Sequence, residues 1–203
     1  YKVEGYDIRD FGWGTAAAQP AVMTFWVKTT QLSATYGGSI RNADGTKCYP
    51  FAFQCDSLGW EFKAIPIKAI TSGTWAADNT TGLIINWSLG EGAAGKGTYG
   101  AWVAGNIKGV DGQTQPIQTV GATILITGVT LEVGQADTPY EVHPYRYELD
   151  ACRRYYEKSY LPQVVPGSVD VNNSVVYEPQ AILGGSASAN YMISPFTVEK
   201  RAI

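Results

Sequence analysis

Residues 22–28 alternate without a slip, with Met23, Phe25 and Val27 on one side and Thr24, Trp26 and Lys28 on the other. A period of two over seven residues of this kind fits a β-strand with one buried face and one exposed face, and it does not fit a helix. The pattern recurs in 48–55, where Phe51 and Phe53 share a side, and in 59–65, where Trp60, Phe62 and Ala64 do. Segments 83–89, 99–104 and 123–133 add β-branched or aromatic runs. Between them, Tyr36-Gly37-Gly38, Asn42-Ala43-Asp44-Gly45 and Asp78-Asn79-Thr80-Thr81-Gly82 read as turns. Seven or so short strands set apart by such turns predict an all-β fold. The expectation is an antiparallel, jelly-roll-like β-sandwich over 1–143, with other Greek-key strand orders open.

One stretch departs from this pattern. From Pro144 to Lys158, Tyr145, Leu149, Cys152 and Tyr156 fall at helical spacing, and a proline is tolerated in the first turn. A single long helix is expected over 144–159. Past it, Pro162, Pro166 and Gly167 mark a linker, and 169–171, 174–177 and 191–198 read as strands of a second small β domain over 160–203. About 44 residues is near the lower limit for an independent core, so this tail is expected to be completed by further chain or by oligomer partners. The chain opens on Tyr1 and its last stretch reads as mid-strand, as in a segment of a longer polypeptide.

Charge and cysteine usage narrow the function classes. The net charge is −3 and no block of basic residues occurs, so the footprint of a nucleic-acid binder is missing. No run approaches the ~18 consecutive apolar residues of a membrane helix, and residues 1–4 lack the charged-then-apolar order of a signal peptide. The chain therefore reads as soluble, without membrane insertion. Cys48, Cys55 and Cys152 are an odd set without paired CxxC spacing, which reads as reduced thiols rather than a zinc site or a disulfide framework.

No Ser-His-Asp order or histidine-metal cluster can be assembled from a single histidine, and nothing in the sequence singles out a carboxylate pair for glycoside hydrolysis among the 18 acidic residues. The one histidine, His143, lies between Val142 and Pro144 and reads as a structural residue ahead of the helix. Gly90-Glu91-Gly92-Ala93-Ala94-Gly95-Lys96-Gly97 nearly spells a phosphate-binding loop. It has Gly97 in place of the hydroxyl residue that holds magnesium, and a strand rather than a helix is expected to follow. Asp44, Asp56, Asp78 and Asp111 sit in Gly- and Asn-rich surroundings that favour turn chemistry, with a structural calcium as the alternative and no EF-hand loop to support it. No cofactor, no catalytic residue and no metal ligand is assigned.

The run Ile126-Thr127-Gly128-Val129-Thr130-Leu131-Glu132-Val133-Gly134, then Thr138-Pro139-Tyr140-Glu141 and 148–157, strongly resembles a signature of bacteriophage tail fibre and tail-tip proteins. Trp13-Gly14-Thr15-Ala16, 23–28, Gly73-Thr74-Trp75 and Thr81-Gly82-Leu83 fall where that family has matching blocks, and 191–203 is similar to the opening of the domain that follows. The resemblance covers most of the chain and departs mildly at Val129-Thr130, commonly Val-Gln, and at Tyr140, commonly Phe. It implies a carbohydrate-binding-like jelly roll in a homotrimeric or higher-order virion tail fibre, made in the host cytoplasm and in contact with other tail proteins. It implies a receptor-binding protein for host attachment and brings no catalytic residues with it.

If such a module binds a bacterial surface glycan, it needs an exposed aromatic platform with polar groups beside it. Trp26 and Lys28 share the outward side of their strand and are the first candidates. Arg41 with Asn42, Asn86 beside Trp87, and Tyr99 with Trp102 follow, while core packing is the plainer reading for Trp60, Trp75, Trp87 and Trp102. The competing readings are a scaffold or spacer that touches no sugar, and a depolymerase fragment.

Overall fold

A computed structural model describes residues 1–156 together with Val164 and Val165. Within it a first compact unit, Tyr1–Glu141, is followed by a second that opens at Val142. The linker and strands expected beyond residue 160 lie outside the described residues.

The first unit is an all-β sandwich. Its strands are β1 (Lys2–Glu4), β2 (Ala21–Thr29), β3 (Ala34–Asn42), β4 (Lys47–Cys55) and β5 (Glu61–Ile67). They continue with β6 (Thr81–Ser88), β7 (Lys96–Gly97), β8 (Val103–Ala104), β9 (Gly109–Val110) and β10 (Ile124–Val133). A five-stranded antiparallel sheet has the order β1-β6-β3-β4-β8, a three-stranded antiparallel sheet the order β10-β2-β5, and β7 pairs with β9 in parallel. Successive strands β2 to β3, β4 to β5 and β5 to β6 change sheets, so sheet neighbours are non-sequential, as in Greek-key sandwiches.

The alternation in 22–28 explains why the two sheets pack. Met23, Phe25 and Val27 are completely buried and face Tyr36, Ile40, Phe51, Phe53, Leu83 and Ile85 of the larger sheet in one core. Phe25 bridges the layers, edge-on to Phe53 at 5.2 Å and to Trp87 at 5.8 Å between ring centroids. Pairs of this geometry contribute about 0.5–1.5 kcal/mol beyond the area they bury. Trp13, Trp75, Trp102 and Tyr49 pack edge-to-face at 5.0–5.4 Å as a second aromatic cluster.

Two sequence expectations are corrected here. Tyr36-Gly37-Gly38 is the middle of central strand β3 and not a turn. A side chain at Gly38 would collide with the Asn86 carbonyl and the Phe51 ring, so these glycines serve close approach of neighbouring strands rather than chain reversal. In 99–104 only Val103–Ala104 is strand, because Gly100 takes φ +85° and breaks the run.

The segment after β6 lies over the outer side of the five-stranded sheet. The Cys48 thiol donates to the Ile107 carbonyl at 2.7 Å, the Thr114 N–H donates to the Thr35 carbonyl at 2.7 Å, and Gln113 Nε2 donates to Ser88 Oγ at 2.7 Å. Val110 and Ser39 are completely buried beneath this cover. Among the described residues no such cover lies over Trp26, Lys28 and Phe62 on the outer side of the three-stranded sheet, which are exposed.

In the second unit, α2 (Tyr145–Arg153) starts after Pro144 and is shorter than the helix expected over 144–159: Arg154 caps it, and the Cys152 carbonyl accepts from the N–H groups of Tyr155 and Tyr156, which lie outside the helix. A four-residue α1 (Gly5–Ile8) precedes β2 in the first unit. Among the described residues, no helix is long and apolar enough to cross a membrane.

Candidate functional site

Strand β2 is the middle of its sheet, and its register builds the open face row by row. Trp26 stands between Thr127 of β10 and Phe62 of β5, Lys28 opposes Leu125, and Thr24 lies between Thr130 and Ala64. The Trp26 and Phe62 rings lie 5.5 Å apart with their planes at 58°, leaving them 41% and 43% exposed. Trp60, expected to pack in the core, is instead on the same side as Phe62 by alternation and 45% exposed, because the core-facing side of this segment is the one that carries Ile65 and Ile67. The Thr24 and Thr130 hydroxyls share a 2.6 Å hydrogen bond that ties β2 to β10 beneath this patch.

A bulge in β10 shapes the patch. Between Thr127 and Thr130 the register slips, so Gly128 and Val129 together oppose Phe25, and Gly128 takes φ +58°. A glycine in the left-handed region at the first bulge position is the G1 type, which sharpens the local twist. A Cβ added there would lie 3.3 Å from Trp26 Cδ1 and 3.9 Å from Tyr140 Cδ2, so the Trp26 indole and the Tyr140 ring both approach the bare backbone. The segment carrying Tyr140 is held back against β10, because Glu132 accepts from the Thr138 N–H at 3.1 Å and from its hydroxyl at 2.6 Å.

Charge on this face is sparse. Lys28 is exposed and has no ion pair among the described residues. Glu61, at the start of β5, opposes buried Val27 and so lies on the other side of the sheet, where it is fully engaged: Oε1 accepts from the Asp56 and Ser57 N–H groups and Oε2 from Lys63, all at 2.8 Å. The lysine first, and then the Ser57 and Asp56 N–H groups, bring its pKa down to about 2.

The other candidates do not join this patch. Asn42 is fully buried: its amide donates to Thr46 Oγ1 and the Thr74 carbonyl and accepts from the Lys47 N–H, stapling the turn between β3 and β4. It is a turn residue and not a ligand contact. Trp102 is likewise spent on packing, its indole N–H donating to the Lys68 carbonyl at 2.6 Å within the aromatic cluster. Arg41 donates to Asn106 Oδ1 at 2.6 Å, and Asn86 reaches Ser39 Oγ at 3.4 Å, both on the five-stranded sheet. Tyr99 is exposed in a separate loop. Sequence alternation placed Trp26 and Lys28 together, whereas Phe62 and Tyr140 were missed as site residues, since only strand register and the fold-back at Thr138 bring them alongside.

Two of the turn aspartates, Asp44 and Asp78, are engaged in local structure. Asp44 accepts from the Thr46 N–H and hydroxyl, and Asp78 does the same with Thr80, which lowers both pKa values. Among the described residues, no three His, Cys, Asp or Glu side chains come together as a metal site. The loop 90–97 forms a short 3-10 turn and the two-residue β7, and no helix follows it. A groove of about 560 Å³ opens between the sheets, lined by Ile8, Phe11, Ile85, Trp87, Ile126 and Leu131, with Asp7 the one carboxylate in its wall.

The first unit is thus an all-β sandwich in which, among the described residues, one sheet is covered and the other leaves an aromatic face open. No protein-family model, curated protein or solved structure matches the chain.

Proposed function

We propose that this chain is a structural and host-recognition component of a phage tail fibre or tail tip, and that it binds a bacterial surface glycan on the outer face of the three-stranded sheet. The observation that carries the reading is the exposed Trp26–Phe62 pair held on a central and an edge strand. Sugar rings present apolar C–H faces that stack on indole and phenyl rings, and hydroxyls around their rim that need polar partners such as Thr127 and Lys28. A sheet positions such a platform more rigidly than a loop does, which limits the ordering cost of binding. The signature at 126–157 supports the tail assignment, and with it a homotrimer in contact with other tail proteins in the virion.

The test is binding of the 203-residue chain to host cells and to a glycan array, beside Trp26→Ala. Removing the indole should weaken binding on the order of tenfold, about 1.4 kcal/mol. Unchanged binding removes Trp26 as the platform. Exposed Leu125 beside Lys28 favours a second reading, a spacer whose apolar face is covered by another tail protein. That reading predicts no glycan binding, and a change in assembly mass for Trp26→Ala.

A further inference from the structure

We infer that the ligand of this face is a glycan carrying an isolated anionic pyranose, with the sugar ring on Trp26 and Phe62 and its acidic substituent at Lys28; this rests on the glycan reading above. Residues 26 and 28 share a strand face, so their Cα atoms stand about 6.8 Å apart, roughly one pyranose along the strand. The Lys28 ammonium is exposed and without an ion pair among the described residues. Its neighbours are apolar, Leu125 across the strand pair and Trp26 two residues back. An ammonium beside apolar side chains is a stronger partner for a carboxylate or phosphate than one surrounded by water.

The carboxylate next to Lys28 in the sheet is turned away and already engaged. Glu61 opposes buried Val27, on the other side of the sheet from Lys28, and is held by Lys63 and two backbone N–H groups, so it does not neutralise Lys28. A cation left unpaired on this face among the described residues is complemented by an anion. A densely charged polymer is disfavoured by the net charge of −3 and the lack of any basic block, which leaves a single acidic sugar within an otherwise neutral stretch.

The experiment measures binding of the full chain to short matched probes by calorimetry. One pair is a tetrasaccharide alternating glucuronate and N-acetylglucosamine and its methyl ester. The other is a phosphomannosyl oligosaccharide and its dephosphorylated form. The expected result is preference for the charged member of at least one pair, which tells carboxylate from phosphate recognition. Lys28→Met should erase that preference with a loss of about two- to fivefold, as for an exposed ion pair, and Lys28→Arg should retain most of it. Raising salt from 50 to 500 mM should weaken the parent and leave Lys28→Met unmoved.

Equal binding of both members of each pair, or binding of neutral glycans alone, overturns the inference and leaves the glycan reading standing. An unchanged charged-member preference in Lys28→Met also overturns it. No binding to these probes or to any array glycan sinks the glycan reading itself. Because Lys28 is exposed, a folding failure of its variants is not expected, and circular dichroism checks this.

Discussion

Replacing Gly128 with alanine probes the bulge that seats the Trp26 indole. At φ +58° a residue with a Cβ pays about 1–2 kcal/mol for the left-handed conformation. The new methyl would also lie 3.3 Å from Trp26 Cδ1, tight enough to push the indole by a few tenths of an ångström. In a sandwich unit of about 140 residues, a loss of about 1–2 kcal/mol lowers Tm by about 3–8 °C. Asparagine enters the left-handed region more readily, so Gly128→Asn should lose less than Gly128→Ala despite its larger side chain. Gly92→Ala is the control, since Gly92 has φ −69° and open space around it, and it should be neutral or slightly stabilising. Thermal and urea unfolding followed by circular dichroism read all three. The reasoning fails if Gly128→Ala stays within about 0.5 kcal/mol of the parent, or if Gly92→Ala costs as much.

Two further predictions concern titratable groups. Cys48 and Cys55 are buried, and burial raises both thiol pKa values, while Cys152 is exposed; native-state labelling with a thiol reagent should therefore modify one cysteine quickly and the other two only on unfolding. Rapid labelling of Cys48 in the folded chain would contradict its placement beneath the Ile107 carbonyl. Glu61 is held at about 2 in the folded chain, below its ordinary 4.5, so its contribution to stability is complete above pH 4.5 and is lost as pH falls toward 2. Glu61→Gln should accordingly lower the urea midpoint at pH 7, and the gap to the parent should close near pH 2; a gap that does not change with pH would show that the Lys63 contact is not its source.

Much of the sandwich was legible because its strands bury one face each. The alternations at 22–28, 48–55 and 59–65 correspond to β2, β4 and β5, and the β-branched run at 123–133 to β10. Strand β3 was hidden because Gly37 and Gly38 are also turn formers, and only the Phe51 and Asn86 neighbours supplied by pairing reveal that a bare backbone is needed there. The cover over the larger sheet has no periodicity to read, since it is built from single hydrogen bonds such as Gln113 to Ser88. Asn42 belongs to the turn that the sequence indicates, but its place among the glycan candidates fails because its amide is buried and closes that turn from inside. Trp26 and Lys28 were found because they interrupt a buried run with two exposed positions. Trp60, Phe62 and Ala64 do share one side of the 59–65 run, but that side is the exposed one and Ile65 and Ile67 face the core, while the partnership of Phe62 with Trp26 belongs to register and not to sequence.

The alternation along β2 has a consequence for how such a surface changes over generations. Met23, Phe25 and Val27 hold the two layers together, while Trp26 and Lys28, interleaved with them on the same nine-residue strand, are exposed on the other side. A codon change at position 26 or 28 alters what the face presents and leaves the inward side chains untouched. On the proposed reading, host range can drift one residue at a time on a scaffold that does not need to be refolded for each new receptor.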